Sequence, residues 1–177
     1  MLDVMLDLET MGQGPSAAIT AIGAQEFDRG TGRLGESFFR VVDLASAVAC
    51  GGTIDASTVL WWLRQGDDAR QALQHNPIPL PLALQCFAEW LAYCGPSDSV
   101  RMWGNGAAFD NVILREAYTR LHMPTPWHWA NDRCYRTLRK EHPDVALQRV
   151  GTHHNALADA TSQALHVVLM TTQEAVA

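Results

Sequence analysis

The chain opens on a nearly unbroken apolar run. Leu2, Val4, Met5, Leu6 and Leu8 are hydrophobic, with Asp3, Asp7 and Glu9 set among them. A short run of this kind with few breakers predicts a buried strand. Gly12-Gln13-Gly14-Pro15-Ser16 then turns the chain. Ala17 to Phe27, rich in Ala and Ile, reads as a second strand. The polar stretch Asp28-Arg29-Gly30-Thr31-Gly32-Arg33 reads as a hairpin connection into a third, Leu34 to Val42. Three successive strands predict an antiparallel meander.

The pattern then lengthens to the helical period. A short helix is expected within Asp43 to Gly52, ended by Gly51-Gly52. Asp55 or Ser57 can cap a second, carrying Val59, Leu60, Trp61, Trp62 and Leu63. Asp67 can cap a third through Leu73. Pro77, Pro79 and Pro81 force a loop or a helix entry. Leu82 to Tyr93 has Leu84, Phe87, Ala88, Leu91 and Ala92 at helical spacing. Ser99 to Gly104 predicts a strand, Ala108 to Leu121 a helix and Trp127 to Ala130 a short strand. Asp132 to His142 predicts a basic helix, and Asn155 to about Thr172 the last one. No repeat, low-complexity tract or linker divides the chain. The order predicts one mixed α/β domain over residues 1–177.

Composition narrows the class. A length of 177 residues suffices for one domain with a real core. The formal net charge of −6 argues against long-range attraction as the main source of affinity for nucleic acid. A cluster of metal-binding acids would also produce such a charge in the metal-free protein. Cys50, Cys86, Cys94 and Cys134 form no C-x-x-C and have no zinc spacing, so buried free thiols in a reducing cytoplasm are expected. No signal pattern and no membrane-spanning run is expected.

The chemistry begins with Asp7 and Glu9. Positions i and i+2 of a strand face the same side, so two carboxylates point together from a mostly apolar strand. The first arginine in the sequence is Arg29, and a hard cation such as Mg²⁺ or Mn²⁺ would relieve the conflict. Asp110 follows Asn105 where a strand runs out into a helix. Asp159 follows His154 at the start of the last helix. For either aspartate alone, helix-start electrostatics is a sufficient reason to be there.

Jointly these motifs are more specific. Asp7-Leu8-Glu9, Asn105 to Asp110 and His154 to Asp159 occur in the order D-x-E, N-x-x-x-F-D and H-x-A-x-x-D. The chain resembles the DEDDh branch of the ribonuclease H-like 3′–5′ exonucleases over Asp7 to Asp159. Within that branch, Leu6 to Gly12, Trp103-Gly104-Asn105 and Phe109-Asp110-Asn111 are similar to the exonuclease VIII-like family.

The resemblance implies a ribonuclease H-like α/β fold, with a mixed five-stranded sheet flanked by helices. It implies that Asp7, Glu9, Asp110 and Asp159 hold two Mg²⁺ or Mn²⁺ ions and that His154 is the general base. His153 is adjacent and could serve by proximity; the spacing to Asp159 selects His154. Thr10 and Met11 would contact the terminal nucleotide, and Asn105 a phosphate or sugar hydroxyl. Trp61 and Trp62 cannot share a helix face; one is expected in the core, and the other, carried here as Trp61, could stack on a base. Arg133, Arg136, Arg139 and Lys140 form a basic run that is either a solvated face or a phosphate contact. The expected partner is a single-stranded or overhanging RNA or DNA 3′ end, with a homodimer implied by relatives that pair. The rival expectations are oligoribonuclease-like clearing of very short RNA and a non-catalytic nucleic-acid-binding module.

Overall fold

In the computed structural model, which describes residues 1–174, the strand pattern of the first residues becomes the centre of the molecule. β1 (Leu2–Thr10), β2 (Ile19–Phe27), β3 (Leu34–Val41), β4 (Val100–Gly104) and β5 (Asp132–Cys134) form one sheet in the order β3-β2-β1-β4-β5. β1–β2 and β2–β3 pair antiparallel, while β1–β4 and β4–β5 pair parallel. The expected mixed five-stranded sheet with an antiparallel meander is therefore observed.

Among the described residues, seven α-helices connect and cover it: α1 (Leu44–Ala49), α2 (Ala56–Trp62), α3 (Asp67–Ala72), α4 (Leu80–Cys94), α5 (Asp110–Arg120), α6 (Tyr135–Glu141) and α7 (Ala156–Glu174). β1 is covered on both faces, which explains its near-continuous hydrophobicity. Its even positions Val4, Leu6 and Leu8 join a core with Leu84, Phe87 and Leu91 of α4 and Ile113, Leu114, Ala117 and Tyr118 of α5. Met5, on the opposite face, joins Trp103, Tyr135 and Ala160, Ala164, Val167 and Met170. The strand alternation thus directs odd positions, Asp7 and Glu9 included, towards α7.

Two glycines let helices close on this strand. Gly23 pairs with Asp7 across β1–β2, and a Cβ there would meet the Ala156 carbonyl carbon at 2.2 Å and the Leu157 nitrogen at 2.3 Å. Only a bare backbone admits the start of α7 beside Asp7. Gly104 pairs with Leu6, and its Cβ would lie 2.3 Å from Asn111 Oδ1 and 3.2 Å from Asp110 Cβ.

The expected strand over Trp127 to Ala130 is a loop followed by a 3₁₀ turn at Trp129–Asn131, and the strand comes later, at Asp132–Cys134. The basic helix accordingly begins at Tyr135 rather than Asp132. The cause is Asp132. Its carboxylate accepts from Asn111 Nδ2 at 2.9 Å, Trp127 Nε1 at 2.8 Å and Arg115 Nη2 at 2.9 Å. These donors tie Asp132 to the sheet edge, where it pairs with Met102. Among the described residues, no helix is long and apolar enough to cross a membrane.

Candidate active site

The cleft forms where β4 stops short of β1. Their pairing ends at Leu6–Gly104, leaving the Leu8 N–H without a neighbouring strand on that side. Asp110 fills the place: its Oδ1 accepts from Leu8 N at 3.1 Å, and its Oδ2 accepts from Asn105 N at 2.8 Å. Asp110 begins α5 and is 2% exposed. Its carboxylate is aimed by backbone on two sides and stands at the end of β1.

Across the cleft, α7 supplies Asp159. Asn155 Oδ1 accepts from Ala158 N at 3.1 Å at the entry to this helix. Asp159 Oδ2 accepts from the His154 N–H at 2.9 Å, and its Oδ1 accepts from Arg149 Nη1 at 2.7 Å. One helical turn later, Gln163 Nε2 donates to Asp7 Oδ1 at 2.8 Å. Carboxylate oxygens of Asp7, Glu9 and Asp159 all lie within 4.8 Å of one another. Glu9 is buried, and its Oε1 has no hydrogen-bond partner.

This packing suppresses ionisation. Burial, followed by repulsion from Asp159 and Asp110, pushes the Glu9 carboxyl up to about 8. Burial likewise pushes Asp110 up to about 7, against the opposing pull of its backbone hydrogen bonds. Asp7 is raised well above the usual carboxylate range by burial and then by Asp110 and Glu9. A divalent cation among these acids would favour their ionised forms. The donor set is all hard oxygen, partly orphaned and closely grouped, so it fits a divalent ion of the Mg²⁺ or Mn²⁺ type.

His154 lies at the mouth, with a left-handed backbone (φ 63°) uncommon for a non-glycine residue. Its N–H bond to Asp159 accompanies that geometry. Desolvation and the neighbouring His153 lower its imidazole below the ordinary value, so the ring is neutral at neutral pH. His153 stacks on it with centroids 3.7 Å apart, and both lie within 4.8 Å of the Asp159 carboxylate. His153 is exposed and His154 half-buried.

The two tryptophans separate clearly. Trp62 is 5% exposed, and its Nε1 donates to Thr10 O at 3.0 Å. Trp61 is 40% exposed, with its ring T-shaped to that of His154 and the centroids 4.8 Å apart. Asn105 lines the cleft, which measures about 480 Å³. Thr10 lines an adjoining hollow with Glu9, Trp61 and Phe109.

Met11 does not reach the acids. A bulge between Glu9 and Thr10 resets the strand alternation, and Met11 packs instead against the α4 side of the core. It lines a separate apolar cavity with Leu44, Trp62 and Leu63.

Sequence reasoning missed Gln163 and Arg149. Gln163 carried a readable signal, since it stands four residues after Asp159 and therefore on the same helix face. Arg149 lies in irregular chain and carried none. The basic run proves divided: Arg136 and Arg139 line the cleft, and Arg136 Nη2 donates to Asn105 O at 2.6 Å. Arg133 instead holds the carbonyls of Ala130 and Asp132.

The same architecture occurs in solved nucleases. The nuclease domain of 3′hExo, a DEDDh family member bound to rAMP, superposes with a TM-score of 0.66 at 12% identity, covering 97% of this chain and 92% of that one. E. coli exonuclease I in complex with a dT13 oligonucleotide gives 0.68 at 14% identity, with 98% of this chain spanning 42% of that one. A 3′-exonuclease described in the 3′-end-specific recognition of histone mRNA stem-loop gives 0.57 at 11% identity, over 97% and 82%. No curated protein matches the sequence. Residues 2–171, however, match the 3′-5′ exoribonuclease Rv2179c-like domain, from the first strand of the sheet into α7. The chain belongs to that family and is a 3′–5′ exonuclease.

Proposed function

We propose that the chain acts as a single domain that removes nucleotides from the 3′ ends of single-stranded or overhanging RNA or DNA. Asp7, Glu9, Asp110 and Asp159 would hold two divalent ions, Mg²⁺ or Mn²⁺, and His154 would be the general base. The observation that carries this reading is Glu9 Oε1, buried without a partner among three further carboxyl groups. A binding module has no use for such a cluster, because it weakens attraction to phosphate. Bound ions of this kind activate a water and stabilise the leaving oxyanion of a phosphodiester.

The protein's own part is positioning and proton transfer. Leu8 N and Asn105 N fix both oxygens of Asp110, so it needs no reorganisation on loading. Gln163 fixes Asp7 in the same way. Desolvation and His153 lower the His154 imidazole, which favours its neutral form, able to take a proton from water at an imidazole nitrogen. Arg136 and Arg139 bring positive charge to an otherwise acidic molecule at the cleft, where backbone phosphates would pass. Trp61 offers a sequence-tolerant stacking face next to the base. The family's description favours RNA as the first substrate to try.

The test uses matched RNA and DNA oligomers labelled at the 5′ end, incubated with Mg²⁺ or Mn²⁺. Stepwise shortening is expected, abolished by EDTA and by His154→Ala. Intact oligomers under both metals would refute the proposal. A rate that collapses beyond a few nucleotides would favour the oligoribonuclease-like reading.

A further inference from the structure

Among the described residues, no ion pair is formed by Asp7 or Glu9, and Asp110 is held by backbone N–H groups. Asp159 differs. Arg149 reaches it from the irregular segment between α6 and α7 and forms an ion pair at 2.7 Å. The oxygen it takes belongs to the group that meets Asp7 and Glu9 within 4.8 Å. A guanidinium on that oxygen and a divalent ion among those acids would repel strongly at such separations.

The pair is built to be broken. The Arg149 side chain is 46% exposed, and half-exposed ion pairs are weak. Gln148, Arg149 and Val150 are all exposed, and Gly151 follows with a left-handed backbone (φ 69°). The anchor that remains near it is Val150 N–H to Ser162 Oγ at 2.9 Å. Arg149 also lines the same cleft as Arg136 and Arg139. A guanidinium released there faces the path of a phosphate, whose geometry its fork matches.

We propose that Arg149 is a displaceable counter-ion. It neutralises Asp159 in the metal-free protein, leaves when a divalent cation enters, and then grips a substrate phosphate. Metal loading and nucleic-acid binding are thereby coupled through one side chain. This rests on the metal-dependent reading above. Arg149 is a positioning residue here, acting on the metal ligand and on the substrate backbone.

Calorimetric titration of Mn²⁺ into the protein, without nucleic acid, separates the two ideas. Wild type, Arg149→Ala, Arg149→Lys and Asp159→Ala would be compared. Removing the competing cation should tighten Mn²⁺ binding about three- to tenfold in Arg149→Ala, the range expected for a half-exposed pair. Arg149→Lys should fall between that variant and wild type. Turnover assays at saturating Mn²⁺ should then show KM for an oligonucleotide raised about tenfold in Arg149→Ala, for the loss of a charge-assisted phosphate contact, with kcat nearly kept.

Unchanged or weaker Mn²⁺ binding in Arg149→Ala, with binding present in wild type and lost in Asp159→Ala, would overturn this inference alone. Unchanged KM would overturn its second half. Absence of Mn²⁺ binding by wild type would overturn the metal-dependent reading and this inference with it.

Discussion

Glu9→Gln should make the metal-free protein more stable at pH 8 and no more stable at pH 5. Glu9 ionises near pH 4.5 in an unfolded chain and at about 8 in the fold. An acid raised on folding contributes full stability below its unfolded value and loses it as pH rises through the folded one. At pH 8 the shift corresponds to on the order of 4 kcal/mol of destabilisation, taking about 1.36 kcal/mol per pKa unit. Glutamine removes the charge that causes it. The substitution also places an amide where Oε1 already lacks a partner, and an unpaired buried polar group costs about 1–3 kcal/mol. The first term exceeds the second at pH 8. The net gain should raise the midpoint of thermal unfolding by roughly 2–10 °C for a chain of this size.

At pH 5 the folded wild type already carries the proton, so only the amide cost remains. Thermal melts in EDTA at the two pH values measure both signs. Saturating Mn²⁺ should reverse the order at pH 8, since it stabilises wild type by mass action and the variant much less. A Glu9→Gln protein less stable than wild type in EDTA at both pH values would refute the reasoning, because the buried charge would then not be the source of strain.

Further expectations concern the parts that hold the site. Gly23→Ala should cost about 1–3 kcal/mol or more, because its Cβ meets the Ala156 backbone at 2.2 Å; denaturant unfolding measures it, and a neutral change would sink the close approach of α7. Trp61→Ala should raise KM for oligonucleotides roughly tenfold through lost stacking, with the melting temperature kept, while Trp62→Ala should lower the melting temperature. Gln163→Leu frees Asp7 from the side-chain donor that holds its Oδ1 and should weaken Mn²⁺ affinity about 10–100-fold in calorimetry. Arg139→Ala should weaken substrate binding and flatten its dependence on salt by about one unit of slope on a log–log plot; an unaltered slope would place Arg139 away from the phosphates.

The fold was legible where burial leaves a mark on the sequence. β1 had to be apolar on both faces, and the alternation of Asp7 and Glu9 put them on one of them. Gly104 and Asn105 marked the end of β4, and the small residues Ala156 and Ala160 marked a helix that lies close to a sheet. The order of the three acidic motifs then brought four carboxyls together at the right end of the sheet. What failed was local. Trp127-His128-Trp129 has strand-like composition, yet the strand forms at Asp132 because Asn111 and Arg115 of α5, together with Trp127 itself, converge on one carboxylate. No window of sequence contains that instruction.

The same limit explains the site. Asp110 and Asp159 announce themselves by standing at helix starts, a property of neighbours in the chain. Met11 shares the stretch of Asp7 and Glu9 but not their location, since a single bulge at Glu9–Thr10 turns it towards the opposite core. Arg149 has no motif at all, and its contact with Asp159 exists only because the chain folds back over the start of α7. Strand and helix periodicities therefore place the four acids, whereas Arg149, which pairs with one of them, comes from an irregular segment. Such a residue is under no pattern that periodicity can read, so it is found by asking which charge in the folded molecule already neutralises one of the acids. In this chain that charge is Arg149, paired with Asp159, and a divalent ion entering the proposed site would compete with it.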